Sequence, residues 1–552
     1  MKKRTISGAM LALLLVDLLM LTLNVQPVKT SGTIYIRADG SVEPSTAPIS
    51  TVDNIVYVFA NNIYDEIVVE RNNIIIDGKG YTLQGAGSED GFCLHGANNV
   101  TIRNVNIVSF GYGVNLNSSS MTTICENNIT NNHYCIRLLS SSRTSIIGND
   151  IVNSWGGISF FSSSNNNIIS GNNITANNDY GIRFQSSSSN NSIIGNNVAN
   201  NYYGVWLDSS VDNAVSGNNI TDNDYGIRFH SSSNNNTIIG NNVANGWGGI
   251  SLFSSSSKNI ILGNNITNNA RGVWLDPSSN NNIISGNKIA ENWCGIWFFS
   301  SFNNRVSGND ITNNDYGLRF HSSSNNLFFH NNLVDNAHQL EGSGCVNFWD
   351  NNYPSGGNYW SDHADIDKSS GSYQNETGGD GIVDVPNVID ENNTDNYPLM
   401  GMFTDFLVTS ELHAQAICDS TIVDFQFSYG ESEINLNVTG EYGTIGFCRI
   451  CVPTALLNVP YRVFVNNTEI PYRLLPLSNG THNYLYFNYG VWSFGDLYSD
   501  REIDMRDITY AARAFGSYPS HPRWNPLCDF SVDYEVDLAD LVLVAKNFGK
   551  TY

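Results

Sequence analysis

Gly157, Gly181, Gly204, Gly226, Gly249, Gly272, Gly295 and Gly317 mark equivalent points along the chain, and the side chains flanking them carry its most concentrated chemistry. Two residues before each stand Trp155, Asp179, Tyr202, Asp224, Trp247, Ala270, Trp293 and Asp315; two after stand Ser159, Arg183, Trp206, Arg228, Ser251, Trp274, Trp297 and Arg319. Indole and phenol rings offer apolar faces to sugar rings, while Arg and Asp bind hydroxyls or carboxylates. The pattern therefore points to a polysaccharide held by Trp155, Arg183, Tyr202, Trp206, Arg228, Trp247, Trp274, Trp293, Trp297 and Arg319. In a fully extended segment the two columns and the glycines share one outward face, which predicts a trough floored by backbone, with equivalent side chains roughly 4.8 Å apart. The alternative is an exposed cation–π ladder of Arg183, Trp206 and Arg228 that binds nothing.

Asp179 and Asp224 lie two repeats apart, near the upper end of the roughly 6.5–9.5 Å carboxylate separation used by inverting glycosidases. They are the candidate catalytic pair. The alternative is a repeated surface Asp, copied when the unit around Asp-Tyr-Gly-Ile-Arg-Phe was duplicated.

A different chemistry closes the chain. Asp496, Asp500, Asp504 and Asp507 recur 33 residues later as Asp529, Asp533, Asp537 and Asp540, each set followed by a helix-like run, residues 508–515 and 541–548, ended by Gly516 or Gly549. Acids at loop positions 1, 5, 9 and 12 let one short loop wrap oxygen ligands around Ca²⁺. The second loop offers Asp529, Ser531, Asp533, the Glu535 carbonyl, Asp537 and Asp540; the first offers Asp496, Asp500, Glu502, Asp504 and Asp507 but puts Tyr498 where a small ligand belongs. Arg501 and Tyr534 stand where the loop wants Gly, so the expectation is one weak Ca²⁺ site at the second loop and little at the first.

The elements that position the first set are short. Gly148, Gly171, Gly195, Gly217, Gly240, Gly263, Gly286 and Gly308 open Gly-Asn units every 22–24 residues, and each unit carries three apolar pairs separated by Asn, Ser and Gly. No run suits a helix. One unit reads as one turn of a solenoid whose inward residues stack on their equivalents in the next turn, a parallel β-helix of about ten three-sided turns over residues 103–330. The recurring Asn residues read as turn formers and stacked amide ladders.

A net charge of −24 argues against nucleic acid as a partner. Lys2, Lys3 and Arg4 precede an apolar stretch, residues 9–25, interrupted by Asp17: the layout of a secretory signal cleaved near residue 30, with an uncleaved anchor as the rival. No later segment approaches a membrane span, so the mature chain is expected to be secreted or held at the cell surface. The nine cysteines lack a disulfide-framework spacing; Cys448 and Cys451 sit in a strand-like run where residues three apart face opposite ways.

The sequence divides into a signal peptide (1–30), an amino-terminal cap and first coils (33–102), regular coils (103–345), a carboxyl-terminal cap (346–400), a β-sandwich (403–490) and a short helical module (494–552). The repeat, together with Gly357-Asn-Tyr-Trp-Ser-Asp362, Asp380-Gly-Ile-Val-Asp384 and Asp395-Asn-Tyr-Pro-Leu399, resembles the NosD-like branch of right-handed β-helix proteins of the carbohydrate-binding and sugar-hydrolase superfamily. The resemblance covers residues 33–400 and implies a pectin-lyase-like fold on an exported protein, with copper delivery in some members and polysaccharide binding or processing in others. Copper is not expected here: past the signal the only methionines are Met121, Met400, Met402 and Met505, and His230 and His321 are four turns apart. The doubled acidic loops resemble a type I dockerin, which implies a cohesin-like partner; a metal-independent docking remnant is the alternative. Three functions follow: an exported polysaccharide-binding protein tethered through its last module, a polysaccharide hydrolase or lyase acting in the same trough, or a structural adhesion protein.

Overall fold

The computed structural model describes residues 32–342, 344–363, 366–409, 412–428, 430, 432–439, 445–457, 459–465, 468–475, 480–490, 495–497, 502–519, 521–531 and 535–549. The expected signal peptide lies outside them, as do Tyr498, Asp500, Arg501, Asp533 and Tyr534. The chain divides into two units, Met1–Ile182 and Arg183–Tyr552.

In the first unit, strands of three to six residues stack in parallel on three sides. One side carries Ile67–Val69, Asp90–His95, Tyr112–Asn117, Tyr134–Leu139 and Gly156–Phe161, with Val69, Leu94, Leu116, Leu138 and Phe160 all buried. Parallel pairing begins at Ile34–Ile36, well before residue 103. The glycine period misses these first rungs because Ile34 stacks on Ile67 and Ile67 on Phe92, spacings longer than the later repeat. Two antiparallel pairings, Val42–Glu43 on Ile34–Ile36 and Ile49–Thr51 on Val56–Phe59, close this end.

The second unit repeats the plan. Tyr203–Asp208, Tyr225–His230, Gly248–Leu252, Arg271–Leu275, Cys294–Phe299, Tyr316–His321 and His338–Glu341 form one side, each strand paired in parallel with the next. Inward positions such as Leu207, Phe229, Leu252, Leu275 and Phe298 stack rung on rung and are fully buried.

Two kinds of glycine punctuate each turn. Gly217 has φ +61° with open space around its missing Cβ, so it is there for the left-handed turn. Gly226 is there for size: a Cβ would meet the Gly249 carbonyl oxygen at 2.7 Å.

The asparagines form the amide ladders expected of them. Asn241 Oδ1 accepts from the backbone N–H and the side-chain amide of Asn218 at 3.0 and 2.9 Å, and its own amide donates to Val215 and Ile239 carbonyls and to Asn264 Oδ1. The same arrangement continues through Asn287, Asn309 and Asn331. Each amide closes a turn whose backbone groups are shut off from water, so burial of these polar groups costs little.

The ladder ends in the three closing motifs. Asn331 donates to Asn358 Oδ1, and the backbone N–H of Asn358 and the indole of Trp360 both donate to the buried carboxylate of Asp395. Nearby, Asp367 accepts from the backbone of Asp380 and Gly381. Burial pushes Asp395 up to about 7, against the pull of its N–H donors, and burial together with the Asp380 charge pushes Asp367 up to about 8. Both lie above the ordinary value of 3.8, so the stability they contribute is complete below that pH and is lost as pH rises through about 7 and 8. The thermal midpoint is therefore expected to fall between pH 5 and pH 8, less steeply in Asp367→Asn. Parallel pH profiles for the two proteins would contradict this assignment.

Beyond the cap, Met402–Leu407, His413–Cys418, Ile445–Pro453, His482–Gly490 and Arg473–Leu474 form a five-stranded antiparallel sheet. On one face Cys418, Cys448, Ile450 and Phe487 pack with Ile422, Ile434, Leu436 and Val463 from two hairpins. Its other face packs Phe403, Ile417, Phe447 and Tyr486 against Leu399 and Tyr359 of the cap. Cys448 and Cys451 do face opposite ways: Cys448 lies in the hairpin-covered core and Cys451 beside Tyr484.

Candidate functional site

The sheet face carrying the aromatic and Arg columns does not form a glycine-floored trough. In Tyr203–Asp208 the burial order runs half-buried, buried, buried, half-buried: Tyr203 and Trp206 face out, while Gly204 and Val205 both face in. Tyr203 pairs with Tyr225 and Val205 with Ile227, whereas a Cβ on Gly204 would strike the Gly226 carbonyl oxygen at 2.6 Å and the core residue Ile220. The segment is irregular at the glycine, so the assumption of continuous extension fails there. The floor is made by the residues immediately before the glycines: Tyr203, Tyr225 and Arg271.

These residues interleave with the column two after the glycine. Trp206 lies 4.6 Å from Tyr203, and Trp274 stacks on Trp297 at 5.9 Å. The Arg183 guanidinium sits 3.9 Å over Trp206; that of Arg228 lies over Tyr203, Tyr225 and Phe253 and donates to the Tyr203 hydroxyl at 2.9 Å. Arg271 is held among Trp247, Trp274 and Trp297 at 4.2–4.6 Å. Arg319 reaches Trp293, Trp297 and Tyr316 and pairs with Glu341 at 2.7 Å. The indole nitrogens of Trp206, Trp274 and Trp297 and Nε of Arg228 and Arg271 are buried without a hydrogen-bond acceptor, their N–H groups enclosed by rings. Of the expected ladder of Arg183, Trp206 and Arg228, only Arg183 over Trp206 forms, Arg228 packing on Tyr203, Tyr225 and Phe253 instead; the result is a packed lattice, and a cleft of about 230 Å³ opens at its carboxyl-terminal end between Trp297, Phe299, Arg319, His321 and Glu341.

The column two before the glycine lies along the edge of this lattice and faces solvent. Tyr202, Trp247 and Trp293 are 44, 51 and 39 % exposed, on alternate turns, with the exposed carboxylates of Asp224 and Asp315 on turns between and beyond them. In the first unit Trp155 is likewise 47 % exposed. Asp179, half-buried, belongs to the first unit, and Asp224 stands exposed at this edge of the second. Sequence reasoning missed Tyr203, Tyr225, Arg271 and Asp276. The alternation Tyr203, Tyr225, Gly248, Arg271 was visible, but the assumed extension assigned it to the wrong face. Burial raises the Asp276 carboxyl, only partly offset by Arg228 and Arg271.

The acidic loops lie in a small helical module. Its helices are Met505–Ala514 and Leu538–Lys546, each starting three residues earlier than the apolar runs suggest, because Asp504 and Asp537 cap them and Asp507 and Asp540 complete capping boxes. The two halves pair reciprocally: Gly516 N–H donates to the Val536 carbonyl and Gly549 N–H to the Ile503 carbonyl, the two donors being 33 residues apart and the two acceptors likewise. Ile503, Ala511, Val536 and Val544 share one core. Asp496, Asp507 and Asp540 are fully buried, Asp529 and Asp537 are half-buried, and Glu502 and Glu535 are exposed. Asp540 accepts from the backbone of Ser531 and Asp537. Ser531 Oγ is buried without a partner, which fits a ligand position at the second loop.

Residues 25–174 and 70–247 match the family described as periplasmic copper-binding protein (NosD), and residues 189–334 match the right handed beta helix region. No curated protein matches the chain. Among solved structures, the chain is similar to a double mutant of the periplasmic alginate epimerase AlgG, at 15% identity over 57% of this chain and 84% of that one, with a TM-score of 0.40. It is similar also to the Azotobacter vinelandii mannuronan C-5 epimerase AlgE4 A-module (13% identity, 52% and 84% covered, TM-score 0.37) and to the alginate lyase AlyF-OU02 (12%, 51% and 81%, TM-score 0.40). The parallel three-sided stacking, together with the two family matches, makes the repeat tract of this chain a right-handed β-helix.

Proposed function

We propose that this is an exported polysaccharide-binding protein, with its ligand along the edge of the sheet face in residues 202–341 and with residues 494–552 attaching it to a surface or extracellular assembly. The observation that carries the reading is the file of exposed rings at Tyr202, Trp247 and Trp293. Rings two rungs apart are separated by roughly 9.6 Å, about the length of two sugars in an extended chain. Exposed aromatic rows are not ordinary surface. Arg271 stands behind Trp247 with its Nε and Nη1 free of any acceptor and supplies positive charge in a chain of net charge −24, which favours a glycan bearing carboxylates.

The periplasmic location in the matched family description supports export. Copper delivery is not part of this reading, since Met121, Met400, Met402 and Met505 are scattered along the chain. Retention of the full chain on an array of neutral and uronate-containing polysaccharides is the test. Retention on at least one uronate polysaccharide is expected; none across the array would remove the proposal and leave a structural adhesion role. A hydrolase or lyase on the same face is the second reading, favoured by the Asp276 carboxyl that burial raises and Arg228 and Arg271 only partly offset, and chromatography of the incubated glycan would reveal shortened products.

The last module is read as a dockerin-like tether with a cohesin-like partner, supported by its reciprocal halves. Asp529, Ser531, Asp533, Glu535, Asp537 and Asp540 would hold one Ca²⁺, supplying the charge that offsets their mutual repulsion. Calorimetry of the full chain is expected to show one site in the range of about 0.1–1 mM typical of extracellular modules, lost in Asp529→Asn. A site that persists in that variant and is lost in Asp496→Asn would reverse the assignment of the two loops.

A further inference from the structure

Glu66, Asp90 and Cys93 bring two carboxylates and a sulfur within 4.8 Å of one another, and among the described residues no other three metal-ligating side chains converge in this way. They meet because Val68 pairs with Cys93 and Cys93 with Asn115 across three adjacent parallel strands, which puts Cys93 and Asn115 on one outward file. Asp90 reaches the same face from the irregular step at Gly91, whose absent Cβ would strike the Gly113 carbonyl oxygen at 2.4 Å. His95, two residues along the strand from Cys93, places Nδ1 3.2 Å from its sulfur and is exposed to solvent.

We propose that Glu66, Asp90 and Cys93 form a binding site for a divalent cation of the zinc class, with the exposed His95 imidazole, beside the Cys93 sulfur at its margin, turning in as the fourth ligand. Zinc takes carboxylate oxygen, imidazole nitrogen and thiolate sulfur in tetrahedral sets, with Zn–S near 2.3 Å and Zn–N near 2.0 Å, so the sulfur–nitrogen edge of such a set is about 3.5 Å, close to the separation seen here. One sulfur among oxygens and a nitrogen suits neither Ca²⁺, which prefers all-oxygen shells, nor Cu⁺, which prefers several sulfurs.

Asn115 is an independent pointer to a ligand. It is 9 % exposed, its amide nitrogen donates to Asp90 Oδ2 at 2.7 Å, and its carbonyl oxygen is buried without a donor. An amide so placed orients a metal-binding carboxylate, and its orphaned oxygen is satisfied by the cation or a water on it.

Cobalt reports on such a site because a thiolate bound to Co²⁺ gives a near-ultraviolet charge-transfer band that carboxylate loops cannot produce. The full chain, stripped with chelator, is titrated with Co²⁺ and then with Zn²⁺. One equivalent of Co²⁺ is expected to raise the band and Zn²⁺ to abolish it. Cys93→Ser should remove the band, and Asp90→Asn and Glu66→Gln should each weaken Zn²⁺ affinity at least about tenfold, whereas Cys135→Ser, which removes a buried thiol outside the cluster, should change neither. Circular dichroism establishes that each variant is folded; Glu66→Gln, at a half-buried position, keeps the test alive if Cys93→Ser is not. Cobalt binding without the band, a band that survives Cys93→Ser, or unaltered Zn²⁺ affinity in folded Asp90→Asn and Glu66→Gln would overturn the site.

Discussion

Alanine at Tyr202, Trp247 and Trp293 together is expected to lower polysaccharide affinity at least about a hundredfold, since each ring contributes roughly 1 kcal/mol beyond simple area burial and a tenfold change in affinity is about 1.4 kcal/mol. Their exposure means that little packing is lost, so the unfolding midpoint should stay close to that of the parent. The contrasting variant replaces Trp206, Trp274 and Trp297. Those indoles are half-buried and enclose the guanidinium of Arg271 and support those of Arg183 and Arg319. Removing them should reduce both affinity and stability, because the charged groups lose their cation–π partners and the packed lattice behind the edge rings opens. Affinity electrophoresis and thermal unfolding of the two triple variants separate contact from support; equal retention by the parent and the Tyr202, Trp247, Trp293 variant would remove the edge file from the site.

Asn241→Leu should be among the most damaging single substitutions in the solenoid, costing about 2–4 kcal/mol. It strips the buried Asn218 backbone N–H of its acceptor, and an unsatisfied buried group costs about 1–3 kcal/mol before the misfit of the apolar side chain is counted. Asn242→Ala is the control. Asn242 takes part in an outer amide ladder with Asn219 and Asn265 that water reaches, and its loss should cost less than about 1 kcal/mol. Because each turn is stabilised by its neighbours, the damage at Asn241 should spread as early unfolding of adjacent turns, visible as hydrogen exchange in Ala214–Ser216 and Ile260–Leu262. Similar unfolding free energies for the two variants would show that the inner ladder is not a principal support.

The solenoid was legible because its signal is redundant: each turn repeats Gly-Asn and the same apolar pairs, and a single turn's irregularity is outvoted by the others. The first rungs were not legible, since Ile34, Ile67 and Phe92 stack across spacings set by loops that carry no repeated residue. The candidate face was legible as a set of residues but not as a surface. Placing Tyr202 beside Trp206 required the strand to alternate through Gly204, and the Gly226 carbonyl approaches so closely there that the chain turns Gly204 and Val205 inward together. That single step moved Tyr203 and Arg271 onto the face and sent Tyr202 and Trp247 to its edge. In the last module, spacing showed both acidic loops, but Asp504 and Asp537 act as helix caps, which extends each helix beyond its apolar run. The Glu66, Asp90 and Cys93 cluster had no sequence signal, since its members come together only through strand register.

Hydroxyl-radical footprinting of the full chain, with and without a saturating uronate polysaccharide, tests the central claim most directly because it reports which side chains the ligand covers. Protection concentrated at Tyr202, Trp247 and Trp293, with Tyr373 and Val388 unchanged as exposed residues outside the face, is the expected result. Protection confined to residues 403–490, or bound ligand that leaves all three rings as reactive as before, would contradict it.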